Sequence, residues 1–144
     1  MPLFVADTNI LIFIERRGQV YQRLESRFPL FLPSPKPLIS IVSLAEARAF
    51  AELRNWGEDR LTRLEEAFDS FSVVPISAGP LVDAYVEIDA YSHRIGRDMG
   101  KNDLWIAATA MATGAVLPTT DQDYDHLHGL YLTRIWIDPT VGQP

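Results

Sequence analysis

A chain of 144 residues, 47% of them hydrophobic, can bury the core of one compact domain, which excludes intrinsic disorder. With no cysteine, it excludes disulfides, thiolate nucleophiles and cysteine-held zinc or iron–sulfur centres. The formal charge of −6 argues against a general affinity for nucleic acid but not against a local one. All the basic residues except Lys36 and Lys101 are arginines, whose planar fork suits phosphate.

Residues 3–6 (LFVA) are apolar without alternation, the pattern of a strand covered on both faces. The amino-terminal stretch lacks a basic region and meets Asp7 early, so it reads as a buried strand and not a secretory signal. Asp7, Thr8 and Asn9 offer capping side chains for a helix over ILIFIERR. Gly18 punctuates it, and 19–27 reads as a second helix or an extension of the first. Residues 29–37 are too rich in proline for helix or central strand, so they form a loop. The apolar tract at 28–45 is broken by prolines and Lys36, which removes any membrane span and leaves a soluble cytoplasmic protein as the expectation.

A strand is expected at 38–42, ended by Ser43, followed by an alanine-rich helix to about Trp56 that Gly57 stops. An amphipathic helix over 59–71 would place Leu61, Leu64, Phe68 and Phe71 on one face. A strand at 73–76 leads to a helix that begins near Pro80 and carries Leu81, Tyr85, Ile88 and Ile95. Asn102 can cap a helix over 103–113 that Gly114 terminates. A strand at 115–117 ends at Pro118-Thr-Thr-Asp, a short helix or turn spans 122–127, and a last strand covers 131–137. Residues 1–138 would form a single domain with 139–144 as a short tail. Alternating strands and helices predict a three-layer α/β/α sandwich on a mainly parallel sheet.

In such sheets ligands collect beyond the carboxyl ends of the strands. Asp7 directly follows the first strand, Asp121 the fourth, and Glu46 lies one helical turn past the second. Asp103 opens the helix that leads into the fourth strand. Each has a local explanation as well: an acid in a first helical turn offsets the macrodipole, and Ser43-x-x-Glu46 is a capping box. Converging carboxylates, however, repel one another unless cations or protons neutralise them, and a hard divalent ion requires such oxygens.

The segments DTN at 7–9, SLAE at 43–46, NDLWIAATA at 102–110 and TTDQDYDHL at 119–127 resemble, in order and separation, the PIN domain. Within it they are most similar to VapC-type toxins of toxin–antitoxin pairs. The resemblance implies a ribonuclease in which Asp7, Glu46, Asp103 and Asp121 form the catalytic site and bind one or two Mg2+ or Mn2+ ions. Asn9 and Thr120 would support it, with Asp123, or else Asp125, as a further acid. It also implies a VapB-like antitoxin and a homodimer. Arg94, Arg97 and Lys101, close before Asp103, and Arg16 and Arg17 after the first motif, could hold the RNA backbone. Phe13, Tyr21, Leu24, Phe50 and Trp56 could form an apolar groove for the antitoxin or simply belong to the core.

His93, His126 and His128 lack a metal-binding spacing, and no G-x-S-x-G nucleophile turn occurs. Two rivals remain. An aspartate-based phosphohydrolase would want a second aspartate where Asn9 stands, and an inactive PIN-like module binding RNA or protein would not need all four acids.

Overall fold

A computed structural model of the chain describes residues 2–16, 22 and 36–140. Most of the helix expected at 19–27, with Arg17, Tyr21 and Leu24, lies outside the described residues, as does the tail past residue 140. The elements in chain order are β1 (Val5–Ala6), α1 (Thr8–Arg16), β2 (Leu38–Ser40), α2 (Ile41–Leu53), α3 (Glu58–Asp69) and β3 (Ser72–Val74). They continue with α4 (Pro80–Arg94), α5 (Lys101–Thr113), β4 (Val116–Thr119), a 3-10 helix (Gln122–Leu127) and β5 (Thr133–Trp136).

Every ladder is parallel: β2 lies between β1 and β3, and β4 pairs with β5. A bridge between Phe4 and Val116 joins the two groups, so the spatial order is β3-β2-β1-β4-β5. At this junction the Val116 amide donates to the Leu3 carbonyl at 2.8 Å. The next donor toward β1 in a parallel ladder would be residue 118, and Pro118 has no N–H to give. The contact therefore stays a single bridge.

Successive strand residues face opposite sides, and the two cores follow from that alternation. Ala6 and Ile39 pack with Ile10, Leu11, Leu64 and Phe68, under α1, α2 and α3. Val5 and Leu117 pack with Ile88, Leu104, Ala107 and Leu127, under α4, α5 and the 3-10 helix. The result is the expected three-layer α/β/α sandwich with a parallel sheet. Between α1 and α3, the carboxylate of Glu15 is 1% exposed and receives Arg60 through two bonds at 3.1 and 3.2 Å, with Arg63 at 3.4 Å. Among the described residues, no helix is long and apolar enough to cross a membrane.

Several boundaries differ from expectation, each for a local reason. Ser40 caps α2, its hydroxyl accepting the Val42 amide at 3.1 Å, so β2 ends early and Ser43 lies buried inside the helix. Helix α2 stops at Leu53, Asn55 turns with φ 52°, and Gly57 begins α3 instead of ending α2. Phe71 is buried but sits past the end of α3, while Leu61 and Ile95 are exposed. Gly100, not Asn102, occupies the cap position of α5, and Gly114 closes that helix at φ 70°. Strand β4 runs on through Pro118 to Thr119, and β5 is shorter than the expected 131–137.

Candidate active site: an acidic cleft at the strand ends

The strand order reverses between β1 and β4, and in an open parallel sheet that switch point creates a crevice beyond the carboxyl ends. Asp7 and Asp121 flank it. The Asp7 carboxylate is 3% exposed; one oxygen accepts the Ile10 amide at 2.9 Å and the other accepts the Thr119 hydroxyl. That same hydroxyl oxygen accepts the Asp121 amide at 2.9 Å, tying the two strand ends together. Asp121 in turn caps the 3-10 helix by accepting the Asp123 amide at 2.9 Å.

Glu46, one face of α2 forward from Ser43, does not turn back to make the capping box. Its Oε1 accepts the Thr8 hydroxyl at 2.7 Å, across 38 residues of chain. Ser40 has taken the capping role, and the buried Ser43 hydroxyl has no hydrogen-bond partner among the described residues. Asp103 projects from the first turn of α5 and accepts the hydroxyl of the buried Tyr124 at 3.1 Å. Asp7, Glu46, Asp103 and Asp121 all line one cleft of about 390 Å³, with Thr8, Asn9 and Tyr124. Ile12, Phe13, Phe50 and Arg16 also line it.

Burial and mutual repulsion leave the three aspartates Asp7, Asp103 and Asp121 reluctant to ionise. Desolvation pushes Asp7 from 3.8 up to about 7, with Asp121 and Asp103 adding to the shift and the Thr119 and Ile10 hydrogen bonds opposing it. Asp103 is raised first by burial and then by Asp121, Glu46 and Asp123, against the Tyr124 hydrogen bond. Asp121 is raised by burial and by Asp123 and Asp125, against the Asp123 amide. Burial and the surrounding carboxylates hold Tyr124 well above its usual value, so it remains an O–H donor.

Carboxylate oxygens of Asp103, Asp121 and Asp123 lie within 4.8 Å of one another. An all-oxygen donor set whose members repel one another fits a hard divalent cation such as Mg2+ or Mn2+ better than a soft one. Asp125 faces elsewhere, paired with Arg134 at 3.0 Å. The histidines do not line the cleft: His126 meets Ser92 at 2.8 Å, His128 accepts the Arg134 amide at 3.0 Å, and His93 meets Asp98 at 2.9 Å. Asn9 lines the cleft, whereas Thr120, Arg94, Arg97 and Lys101 do not, and among the described residues Arg16 is the basic one in its wall. Trp56 belongs to the core.

Three residues with direct contacts to the acids were not singled out by sequence reasoning: Thr119, Tyr124 and the hydroxyl role of Thr8. Thr119 lies next to Thr120, and only the strand's register decides which hydroxyl faces Asp7. Nothing in the local sequence announces Tyr124.

The model of a known family, the PIN domain, matches residues 4–130. No curated protein matches the chain. Among solved structures, VapBC2 from Rickettsia felis bound to a DNA fragment from their promoter is similar at TM-score 0.80 and 22% identity, covering 94% of this chain and 99% of that one. VapBC-1 from nontypeable Haemophilus influenzae gives TM-score 0.76 and 24% identity over 93% and 97% of the two chains. VapBC-5 from Mycobacterium tuberculosis gives 0.71 and 24% over 95% and 100%. At such identities the structural likeness speaks for the fold. With the family model spanning most of the sequence, the chain belongs to the PIN domain family.

Proposed function

We propose that this chain is a metal-dependent endoribonuclease of the VapC type, the toxin of a toxin–antitoxin pair. The observation that carries the reading is convergence: carboxylates from residues 7, 46, 103 and 121 line one cleft, the most buried of them raised to about 7. Packing alone gains nothing from such an arrangement, and a divalent cation removes its electrostatic cost.

Asp7, Glu46, Asp103 and Asp121 would hold one or two Mg2+ or Mn2+ ions, with Asp123 able to join Asp103 and Asp121. Bound there, the metal supplies water activation and charge stabilisation on a scissile phosphate. The chain's own residues do the positioning. Thr119 and the Ile10 amide fix the Asp7 oxygens, Tyr124 fixes one oxygen of Asp103, and Thr8 fixes one of Glu46. Asn9, in the cleft wall, and Thr120, next to Thr119, would play supporting roles. Arg16 in the cleft wall, with Arg94, Arg97 and Lys101 farther out, would receive the RNA backbone.

The similar structures are VapBC toxin–antitoxin proteins, which supports a VapB-like antitoxin as partner. A homodimer, a cytoplasmic location, and a nuclease unit over 1–138 with a short tail at 139–144 complete the proposal. The deciding experiment is end-mapped cleavage of total RNA with Mg2+ by the purified chain and by Asp103→Asn, with folding checked by circular dichroism. Cleavage is expected from the first only. Undiminished cleavage by Asp103→Asn would refute the assignment.

A further inference from the structure

Asp123 reaches the acidic cluster from a weaker support than its neighbours have. Asp7 and Asp121 follow strands and Asp103 belongs to α5, whereas Asp123 stands on the short 3-10 helix Gln122–Leu127. In a 3-10 helix the backbone bonds are poorly aligned, and side chains at i and i+3 eclipse. Asp123 and His126 therefore project from one face, so whatever holds His126 also sets the direction of Asp123. The His126 ring is held on several sides. Its Nε2 meets the Ser92 hydroxyl at 2.8 Å, the ring and the Asp123 backbone are hydrogen-bonded, and Tyr91 stacks on it at 6.3 Å and 16°.

Ser92 is fully buried in the last turn of α4. A hydroxyl inside a helix can satisfy itself on the carbonyl four residues back. Thr109 and Thr113 of α5 do so, bonding the Trp105 and Thr109 carbonyls at 2.8 and 2.6 Å. The Ser92 hydroxyl is committed instead to a contact 34 residues away. Its carbonyl accepts the Arg97 amide at 2.7 Å, which shapes the turn from α4 into α5 and hence the approach of Asp103. One residue thus touches both the helix that bears Asp123 and the connection that delivers Asp103.

We propose that Ser92 and His126 are positioning residues for the metal site, their contact holding the Asp123 carboxylate beside those of Asp103 and Asp121. The inference rests on the metal-dependent reading above and deepens it. It also separates the two nearby acids, since Asp125 is engaged by Arg134 on β5.

The test is calorimetric titration with Mn2+ of the unaltered chain, Ser92→Ala, Asp123→Asn and the double variant, each with a thermal melt. Ser92→Ala is expected to weaken Mn2+ binding roughly tenfold, the lower range for groups that orient a metal ligand. Asp123→Asn should weaken it at least as much, and adding Ser92→Ala to Asp123→Asn should change nothing further, because the serine acts through that carboxylate. His126→Phe, which keeps a ring against Tyr91 but no ring nitrogen, should match Ser92→Ala and serves if the serine variant does not fold. A contact that only supports the fold would lower the melting temperature without changing affinity, or weaken Mn2+ equally in both backgrounds, and either result overturns the proposal. Unchanged affinity in Asp123→Asn overturns it too, while leaving the metal site itself standing. If the unaltered chain binds no Mn2+, the metal-dependent reading and the positioning pair fall together.

Discussion

At neutral pH, Asp7 lies close to the midpoint of its own titration, having been raised from 3.8 to about 7. The folded chain therefore keeps a proton that the unfolded chain has released over that interval. The sign follows from linkage: the contribution to stability is fully present below pH 3.8 and is lost as pH rises through about 7. Roughly three pKa units correspond to about 4 kcal/mol at the upper end. In metal-free buffer, the melting temperature of the native chain is expected to fall across this window relative to Asp7→Asn, which carries no charge to bury. Parallel curves for the two proteins would contradict the argument. Tyr124 acts on the neighbouring acid. Removing its hydroxyl in Tyr124→Phe should cost no more than about 1.5 kcal/mol of stability. Because that hydrogen bond favours the charged form of Asp103, the variant should also bind Mn2+ several-fold more weakly in calorimetric titration, and unaltered affinity would reduce the tyrosine to packing.

The helix that lines most of the cleft is anchored by an ion pair at its far end. Glu15 is buried, whereas Arg60 and Arg63 retain side-chain exposures of 37% and 39%. The two partners are therefore not equivalent. Arg60→Ala/Arg63→Ala strands a carboxylate in the interior and is expected to cost about 3–5 kcal/mol in urea unfolding, since an uncompensated buried charge is the expensive case. Glu15→Leu leaves its former partners near solvent and replaces the charge with apolar volume, so it should lie much closer to neutral. The reverse ranking would mean that the attraction itself, and not desolvation, dominates the contact. At this scale the sequence was read well for element type and less well for ends. Helices α3, α4 and α5 follow from apolar spacing and from Pro80 and Gly114. The start of α2 does not, because Ser40 and Ser43 are both acceptable caps and only the tertiary pull of Thr8 on Glu46 separates them.

Across the whole molecule, the acids come from four distant segments, and an unfolded chain cannot present them together. Divalent metal should therefore stabilise the fold by mass action, by about 2.7 kcal/mol at a hundred times the dissociation constant. Thermal melts with Mn2+ and with chelator are expected to differ for the native chain and to coincide for Asp7→Asn/Asp103→Asn. A native chain indifferent to Mn2+ would show that the cluster is not a metal site. The same topology explains what could be read in advance. Asp7 and Asp121 were legible because strand ends share a rim, whatever the side-chain details. Thr119 and Tyr124 were not, since register and the path of the 3-10 helix decide them. Arg94, Arg97 and Lys101 are near Asp103 in sequence, yet nearness along the chain did not bring them into the cleft wall. Pro118 has its own consequence. By withholding a donor between β1 and β4, it leaves a seam in the floor beneath the crevice, with Asp7 on one bank and Asp121 on the other. At the rim the Thr119 hydroxyl joins the two banks, bonding both the Asp7 carboxylate and the Asp121 amide, so the spacing between these acids rests on a side-chain contact and not on a ladder of backbone bonds.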